Sequence, residues 1–223
     1  MRKRRAIFLD RDGVINGMVY NAEFGTVDSP ANPDEFTLLP GVGNAIAEFN
    51  QRDYLVVVVS NQPGIAKGRF SPELLEGMTS RMMAGIESSG GKVDATYYCL
   101  HHPEAVQAEY RVVCNCRKPK PGLLLKAARD LSIDLSQSFM AGDGVTDVVA
   151  GLAAGTRTIF VNGRKCYACD ALLEHEAEPE FIAANLSEVA EIIRGIEANH
   201  PSVWEFRWTC AGLSERGLPQ RTG

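Results

Sequence analysis

The sequence is most informative first for what it lacks. No apolar run in its 223 residues approaches the ~20 needed to cross a bilayer, so a spanning helix is excluded. There is no excess of positive charge. The formal net charge is −5, and no stretch interleaves basic and aromatic residues, so the footprint of a nucleic-acid binder is missing. Met1-Arg2-Lys3-Arg4-Arg5 is basic, but only four apolar residues follow before Asp10, too few for the core of a signal peptide. These absences lead to the expectation of a cytoplasmic, membrane-free monomer. There is no internal repeat and no low-complexity block. What remains is ordinary for a globular chain with a real core: 45% hydrophobic and 23% charged residues.

Within that composition, Ala6-Ile7-Phe8-Leu9 ends abruptly at Asp10-Arg11-Asp12-Gly13. A strand there would deliver Asp10 to the carboxyl edge of a sheet, where open α/β folds bind ligands, and a turn at Gly13 would fold Asp12 back to the same place. Paired carboxylates attract a hard cation such as Mg2+, or divide the work of nucleophile and general acid. The pattern then recurs. Tyr54–Val59 is an apolar, β-branched run ending at Ser60-Asn61-Gln62-Pro63-Gly64, and Ser138–Ala141 ends at Gly142-Asp143-Gly144-Val145-Thr146-Asp147. Val93–Cys99 and Thr156–Val161 read as two further strands.

Helical spacing falls between these runs, over Gly41–Arg52, Pro72–Ser88 (with Ser71 as N-cap), Gly122–Leu131 and Asp147–Ala154, with another helix in Glu180–Ala198. Strands alternating with helices predict an α/β fold with a central parallel sheet and right-handed crossovers. Residues Gly17–Pro40 are rich in Gly, Pro, Asn and Asp and read as a loop, either a cover for substrate or an exposed insertion. The expected organisation is a single domain over 1–198 and a partly disordered extension over 199–223.

On a parallel sheet the polar groups at four strand ends converge: Asp10/Asp12, Ser60/Asn61, Arg117/Lys118 and Asp143/Asp147. Carboxylates to hold Mg2+, a lysine and a hydroxyl to meet phosphate oxygens, and one attacking carboxylate are the inventory of phosphoryl transfer.

Cysteine supplies a second constellation. Cys99-x-His101 and Cys114-x-Cys116 are twelve residues apart, and three thiolates with one imidazole suit tetrahedral Zn2+. His102 competes with His101 on spacing alone. Cys166-x-x-Cys169 reads as incidental thiols, a redox pair or half a zinc site, Cys210 has no evident partner, and His175 and His200 read as surface residues.

The four ordered motifs Asp10-x-Asp12-Gly13-Val14, Ser60-Asn61-Gln62, Lys118-Pro119 and Gly142-Asp143-x-x-x-Asp147 resemble those of haloacid-dehalogenase-like (HAD) phosphatases. Phe8–Gly13, Ser60–Ala66 and Cys116–Pro119 are similar to the branch containing D-glycero-D-manno-heptose bisphosphate phosphatase and the phosphatase domain of histidinol-phosphate phosphatase. The resemblance implies a Rossmann-like three-layer α/β/α sandwich with no large cap domain and an inserted zinc loop over 99–116.

It also implies roles. Asp10 would be the nucleophile and Asp12 the acid and base. Ser60 and Lys118 would bind the transferring phosphoryl group, and Asn61 and Arg117 would contact substrate. Asp10, Asp143 and the backbone carbonyl of Asp12 would hold Mg2+, with Asp147 behind them or coordinating directly. The same branch carries the Cys-x-His…Cys-x-Cys pattern, and its register selects Cys99, His101, Cys114 and Cys116 for a structural Zn2+.

The implied substrate is a small phosphorylated metabolite, a sugar bisphosphate such as D-glycero-D-manno-heptose 1,7-bisphosphate, losing its 7-phosphate. Histidinol phosphate is the rival, and a non-catalytic zinc-containing binding module the alternative from another class. One departure is visible: heptose-branch sequences place a lysine where Gly144 stands, so a substrate contact is missing here unless Lys67 or Lys120 replaces it.

Overall fold

The computed structural model describes residues 3–23, 25–161 and 168–206, with side chains for all of these except 168–170 and 204–206. Its centre is β1 (Arg5–Leu9), every residue of which after Arg5 is buried. A strand covered on both faces needs apolar side chains in both directions, and the alternation supplies them. Ile7 and Leu9 enter one core, Ala6 and Phe8 the other.

β1 pairs in parallel with β4 (Tyr54–Asn61) on one side and β6 (Phe139–Gly142) on the other. With β5 (Ala95–Cys99), β7 (Arg157–Val161) and β8 (Phe181–Ala183) they form a six-stranded parallel sheet in the order β5-β4-β1-β6-β7-β8. The chain winds outward from β1 through β4 and β5, then returns to build β6, β7 and β8 on the other side. The ends of β1 and β6 therefore flank the point where the winding reverses, the usual ligand crevice of such sheets.

Helices cover both faces. On one, α1 (Val42–Gln51), α2 (Pro72–Glu87) and α6 (Leu186–Glu197) bury Ile46, Phe49, Met78, Met82, Val189 and Ile193 against Ile7, Val56, Val58, Ile159 and Phe181. On the other, α3 (Gly122–Leu131) and α4 (Val145–Ala154) pack Leu123, Leu124, Ala127 and Ala150 against Phe8, Val57, Val59 and Met140. Leu172 of α5 (Ala168–Glu174) joins Val148 and Phe160 in a smaller cluster. The result is the three-layer α/β/α arrangement. Ser71 caps α2 as its sequence position suggested, accepting from the Leu74 N–H with Pro72 opening the helix.

Two expectations change, and one strand is added. Gly17–Pro40 is not all loop: β2 (Val19–Asn21) and β3 (Thr26–Asp28) pair as a small antiparallel hairpin, followed by a 3-10 turn at Pro33–Glu35 that Asn32 caps. The helix expected within Glu180–Ala198 is α6, which starts under an Asn185 cap; ahead of it Phe181–Ala183 is drawn into the sheet as β8, a strand the sequence reading did not foresee. Arg117 and Lys118 do not lie at a strand end; they belong to the loop entering α3.

Pro201–Phe206 forms a further 3-10 turn, with Val203 buried in the larger core. Cys166, Cys210 and the rest of the predicted disordered extension from 207 onward lie outside the described residues, as does the Cys169 side chain. His175 and His200 are exposed. No helix among the described residues is long and apolar enough to cross a membrane.

Candidate active site

The site is assembled at the carboxyl ends of β1, β4 and β6. Asp10 follows β1 directly, and its backbone N–H bonds the Ala141 carbonyl of β6 at 3.1 Å. The chain then turns tightly, with the Arg11 carbonyl accepting from Ile15 at 2.8 Å and Gly13 donating to Asn16 O at 2.9 Å. Gly13 takes φ +87°, and a Cβ there would run into the Asp143 carboxylate, so only glycine lets the first motif lie against the last.

Oxygen atoms of Asp10, Asp143 and Asp147 lie within 4.8 Å of one another. Lys118 is the cation set among them, its side chain 1% exposed. Its ammonium reaches Asp147 Oδ1 at 2.6 Å, Asp10 Oδ1 at 3.0 Å and the Val59 carbonyl at 2.8 Å. Burial by itself would lower the lysine pKa, but the charges of Asp10 and Asp147 outweigh it and raise it. Burial pushes Asp147 up to about 7 against the pull of Lys118. The 2.6 Å contact, with Asp147 Oδ2 also accepting from Gly144 N at 2.9 Å, favours the ionised pair. Three carboxylates around one ammonium leave a surplus of negative charge, so the donor set fits a hard divalent cation.

Asp12 is kept apart from this cluster. Its carboxylate accepts from Arg11 Nε at 3.1 Å, Arg11 Nη2 at 2.9 Å, Asn16 Nδ2 at 3.0 Å and Gln62 Nε2 at 2.7 Å. Two carboxylates at one strand end thus occupy different surroundings, one against an ammonium and other carboxylates, the other in a ring of donors.

Ser60 is buried, and its hydroxyl accepts from Gln62 Nε2 at 3.1 Å. Both ends of the Asn61 amide engage the backbone of Lys118, donating to its carbonyl and accepting from its N–H, each at 3.0 Å. Asn61 therefore clamps the lysine loop to β4, which differs from the substrate contact expected of it. Arg11, Asn16 and Gln62 were not singled out as functional from sequence. The signal was present, since Arg11 and Gln62 sit inside the motifs, but sequence does not tell which way a side chain turns.

The sulfurs of Cys99, Cys114 and Cys116 and Nδ1 of His101 form a second group. Neighbouring ligand atoms are 3.3–3.8 Å apart. The edges of a tetrahedron with metal–sulfur bonds of 2.3 Å are about 3.8 Å, so this cage is the right size for zinc. His102 lies outside it, its Nδ1 accepting from Glu104 N at 3.1 Å. Burial opposes ionisation of Cys114, but hydrogen bonds from Cys116, the Arg117 backbone and Cys99 bring its thiol down to about 6.

This loop also ties the site rim together. Val106 N–H bonds Ala66 O at 2.9 Å, and Arg69 of the same β4–α2 loop pairs with Asp28 of the hairpin. Arg117 Nη1 donates to the His101 carbonyl at 3.2 Å, and Lys120 to the Cys114 carbonyl at 2.9 Å. Slight burial and the nearby charges of Lys67 and Arg117 lower the His102 pKa.

Residues 115–189 match the HAD-hydrolase-like family model. The chain is 38% identical over 194 residues to the D-glycero-beta-D-manno-heptose-1,7-bisphosphate 7-phosphatase of Photorhabdus laumondii, covering 86% of this chain and 96% of that one. The chain belongs to the HAD-like phosphatases. A second relative, the enzyme of the same name from Haemophilus ducreyi, is 41% identical over 156 residues, 70% of this chain and 81% of its own. The D,D-heptose 1,7-bisphosphate phosphatase of B. bronchiseptica, solved with magnesium and phosphate, superposes with a TM-score of 0.69 at 33% identity, covering 86% of this chain and 99% of that structure. In this HAD-like phosphatase, then, the carboxylate cluster and the Lys118 loop occupy the crevice of a known phosphatase fold.

Proposed function

We propose that the chain is a Mg2+-dependent phosphomonoesterase that removes the 7-phosphate of D-glycero-β-D-manno-heptose 1,7-bisphosphate through an aspartyl-phosphate. The observation that carries the reading is the division between Asp10 and Asp12: one strand end offers a carboxylate beside Lys118 and a second one held separately by neutral and cationic donors. A phosphomonoester has a poor leaving group, so a nucleophile needs an acid beside it.

Asp10 attacks phosphorus as the bond to the sugar oxygen breaks, and Asp12 gives that oxygen its proton. Asp12 then takes a proton from water, which attacks the aspartyl-phosphate and restores Asp10. Lys118 and the Ser60 hydroxyl meet the phosphoryl oxygens. Asp10, Asp143 and the Asp12 carbonyl would hold the Mg2+, which when bound neutralises developing charge on phosphate, and Asp147 steadies Lys118. Zinc held by Cys99, His101, Cys114 and Cys116 has no part in the chemistry; it sets the loop that delivers Arg117 and Lys118.

The names of the relatives favour the heptose substrate over histidinol phosphate. With Gly144 on the acidic wall, Lys67 and Arg117 support the reading as cations for the second phosphate. Lys120 is turned to the zinc loop instead. We further take 1–198 as one phosphatase domain acting as a monomer on a small metabolite. A cytoplasmic setting belongs to the same reading, because a cage of thiolates suits a reducing compartment.

The test is phosphate release from heptose bisphosphate, other sugar phosphates and histidinol phosphate, with Mg2+ and with EDTA. Loss of a single phosphate from the heptose bisphosphate, abolished by EDTA, is expected. Turnover of histidinol phosphate but of no sugar bisphosphate overturns the substrate assignment.

A further inference from the structure

Neighbours on an extended chain point opposite ways, yet Arg11 curls back onto the carboxylate of Asp12. Arg11 is fully buried. Its guanidinium carbon stands 5.9 Å from the Phe36 ring centre and 5.8 Å from that of Tyr98, so both rings are near the planar group. Nε and Nη2 both address Asp12 Oδ1, at 3.1 and 2.9 Å, and Nη2 also reaches Oδ2 at 3.1 Å. Nη1 has no hydrogen-bond partner among the described residues.

Burying an arginine for one adjacent carboxylate is a poor route to stability, since desolvation consumes most of the attraction. A planar fork is, however, the side chain best suited to fixing a carboxylate's orientation. The two oxygens of Asp12 are not equivalent. Oδ1 receives Arg11 Nε, Arg11 Nη2 and Asn16 Nδ2, three donors for its two lone pairs. Oδ2 receives Gln62 Nε2 at 2.7 Å and only the longer contact from Arg11.

We propose that Arg11 is the positioning residue of the proton-transfer step: with Asn16 it locks Oδ1, and so makes Oδ2 the oxygen that carries the proton. This rests on the acid and base role given to Asp12. As the phosphorus–oxygen bond breaks, its electron pair stays on the leaving oxygen, which receives the proton from Oδ2. In the second half-reaction the same oxygen takes a proton from the attacking water. Without the fork, Asp12 rotates and the proton is delivered from the wrong place, while attack by Asp10 is untouched.

Two substrates separate this from a merely structural role. Leaving as an alkoxide, a sugar phosphate needs the proton; 4-nitrophenyl phosphate, leaving as a stable phenolate, does not. In a single turnover, which reads only the first half-reaction, Arg11→Met is expected to slow release of the leaving group from the sugar phosphate about 10²-fold and from 4-nitrophenyl phosphate less than about 3-fold. Arg11→Lys, which keeps the charge but not the fork, falls between. Equal losses on the two substrates overturn the proposal.

Should Arg11→Met fail to fold, Asn16→Ala removes a different Oδ1 donor with the guanidinium in place. It must show the same selective loss, and a uniform one overturns the proposal. Failure of the phosphatase reading looks different: the unaltered chain then releases phosphate from neither substrate.

Discussion

Lys118 is the residue on which the electrostatics of the site turn. Its ammonium has no contact with solvent worth the name, and three oxygen partners at 2.6–3.0 Å. Lys118→Met would leave Asp10 and Asp147 facing each other in a buried place, and removing one partner of a buried pair costs about 3–5 kcal/mol. Turnover is expected to fall at least about 10²-fold, the scale for losing one preorganised charge contact. Denaturant unfolding should record the lower stability, and steady-state phosphate release the lost activity. Bound Mg2+ should recover part of the stability, because it supplies the cation the carboxylates have lost.

At this scale the sequence was legible where a residue's identity is its chemistry. Asp10, Lys118 and Asp143 could be named from type and spacing. Arg11 and Gln62 could not be given a task, because their work depends on side-chain direction, and Asn61 turned out to clamp the Lys118 backbone.

Among the elements, the loop from Cys99 to Cys116 does most to shape the site. It leaves β5 at the cage and returns to it one residue before Arg117, so the cage fixes where the Lys118 loop begins. Cys114→Ser is expected to lower bound zinc from about one per chain, measured by metal analysis, and to lower the thermal midpoint of the protein. The loss of activity should exceed what unfolding explains, because Lys118 is then displaced while Asp10 is not.

Element lengths also account for the errors of the sequence reading. Helices α1, α2 and α3 carry 10, 16 and 10 residues, enough turns for a periodic apolar face. Strands β2, β3 and β8 have three residues each, too few for any period to register. The hairpin is largely exposed, so its residues carry no apolar signature either, and its pairing depends on the ends of the loop being closed by Gly17, Thr37, Ile15 and Leu39.

For the whole molecule, the sheet works as a rigid plate with a separate core on each face. Phe8 belongs to the core beneath α3 and α4 and is fully buried. Phe8→Ala should cost about 3–5 kcal/mol by leaving a cavity beside the central strand. For a domain of this size 1 kcal/mol moves the thermal midpoint by about 2–4 °C, so calorimetry should find a drop of roughly 6–20 °C, while kcat well below the midpoint changes little.

The sequence by itself determined the α/β class, the helices long enough to be periodic, the four polar motifs and the cysteine–histidine spacing, because each of these is local information carried by residue type and interval. Only the tertiary structure decided which side chains meet. Winding order places β1 between β4 and β6 and so brings Asp10 to Asp143. Packing of the Lys118 loop against β4, not proximity in the chain, puts the ammonium among the carboxylates. Folding brings the Phe36 and Tyr98 rings, from distant segments, to 5.9 and 5.8 Å from the Arg11 guanidinium that is paired with Asp12. Contacts between distant segments depend on how the whole chain excludes water, and no interval along the sequence encodes that directly.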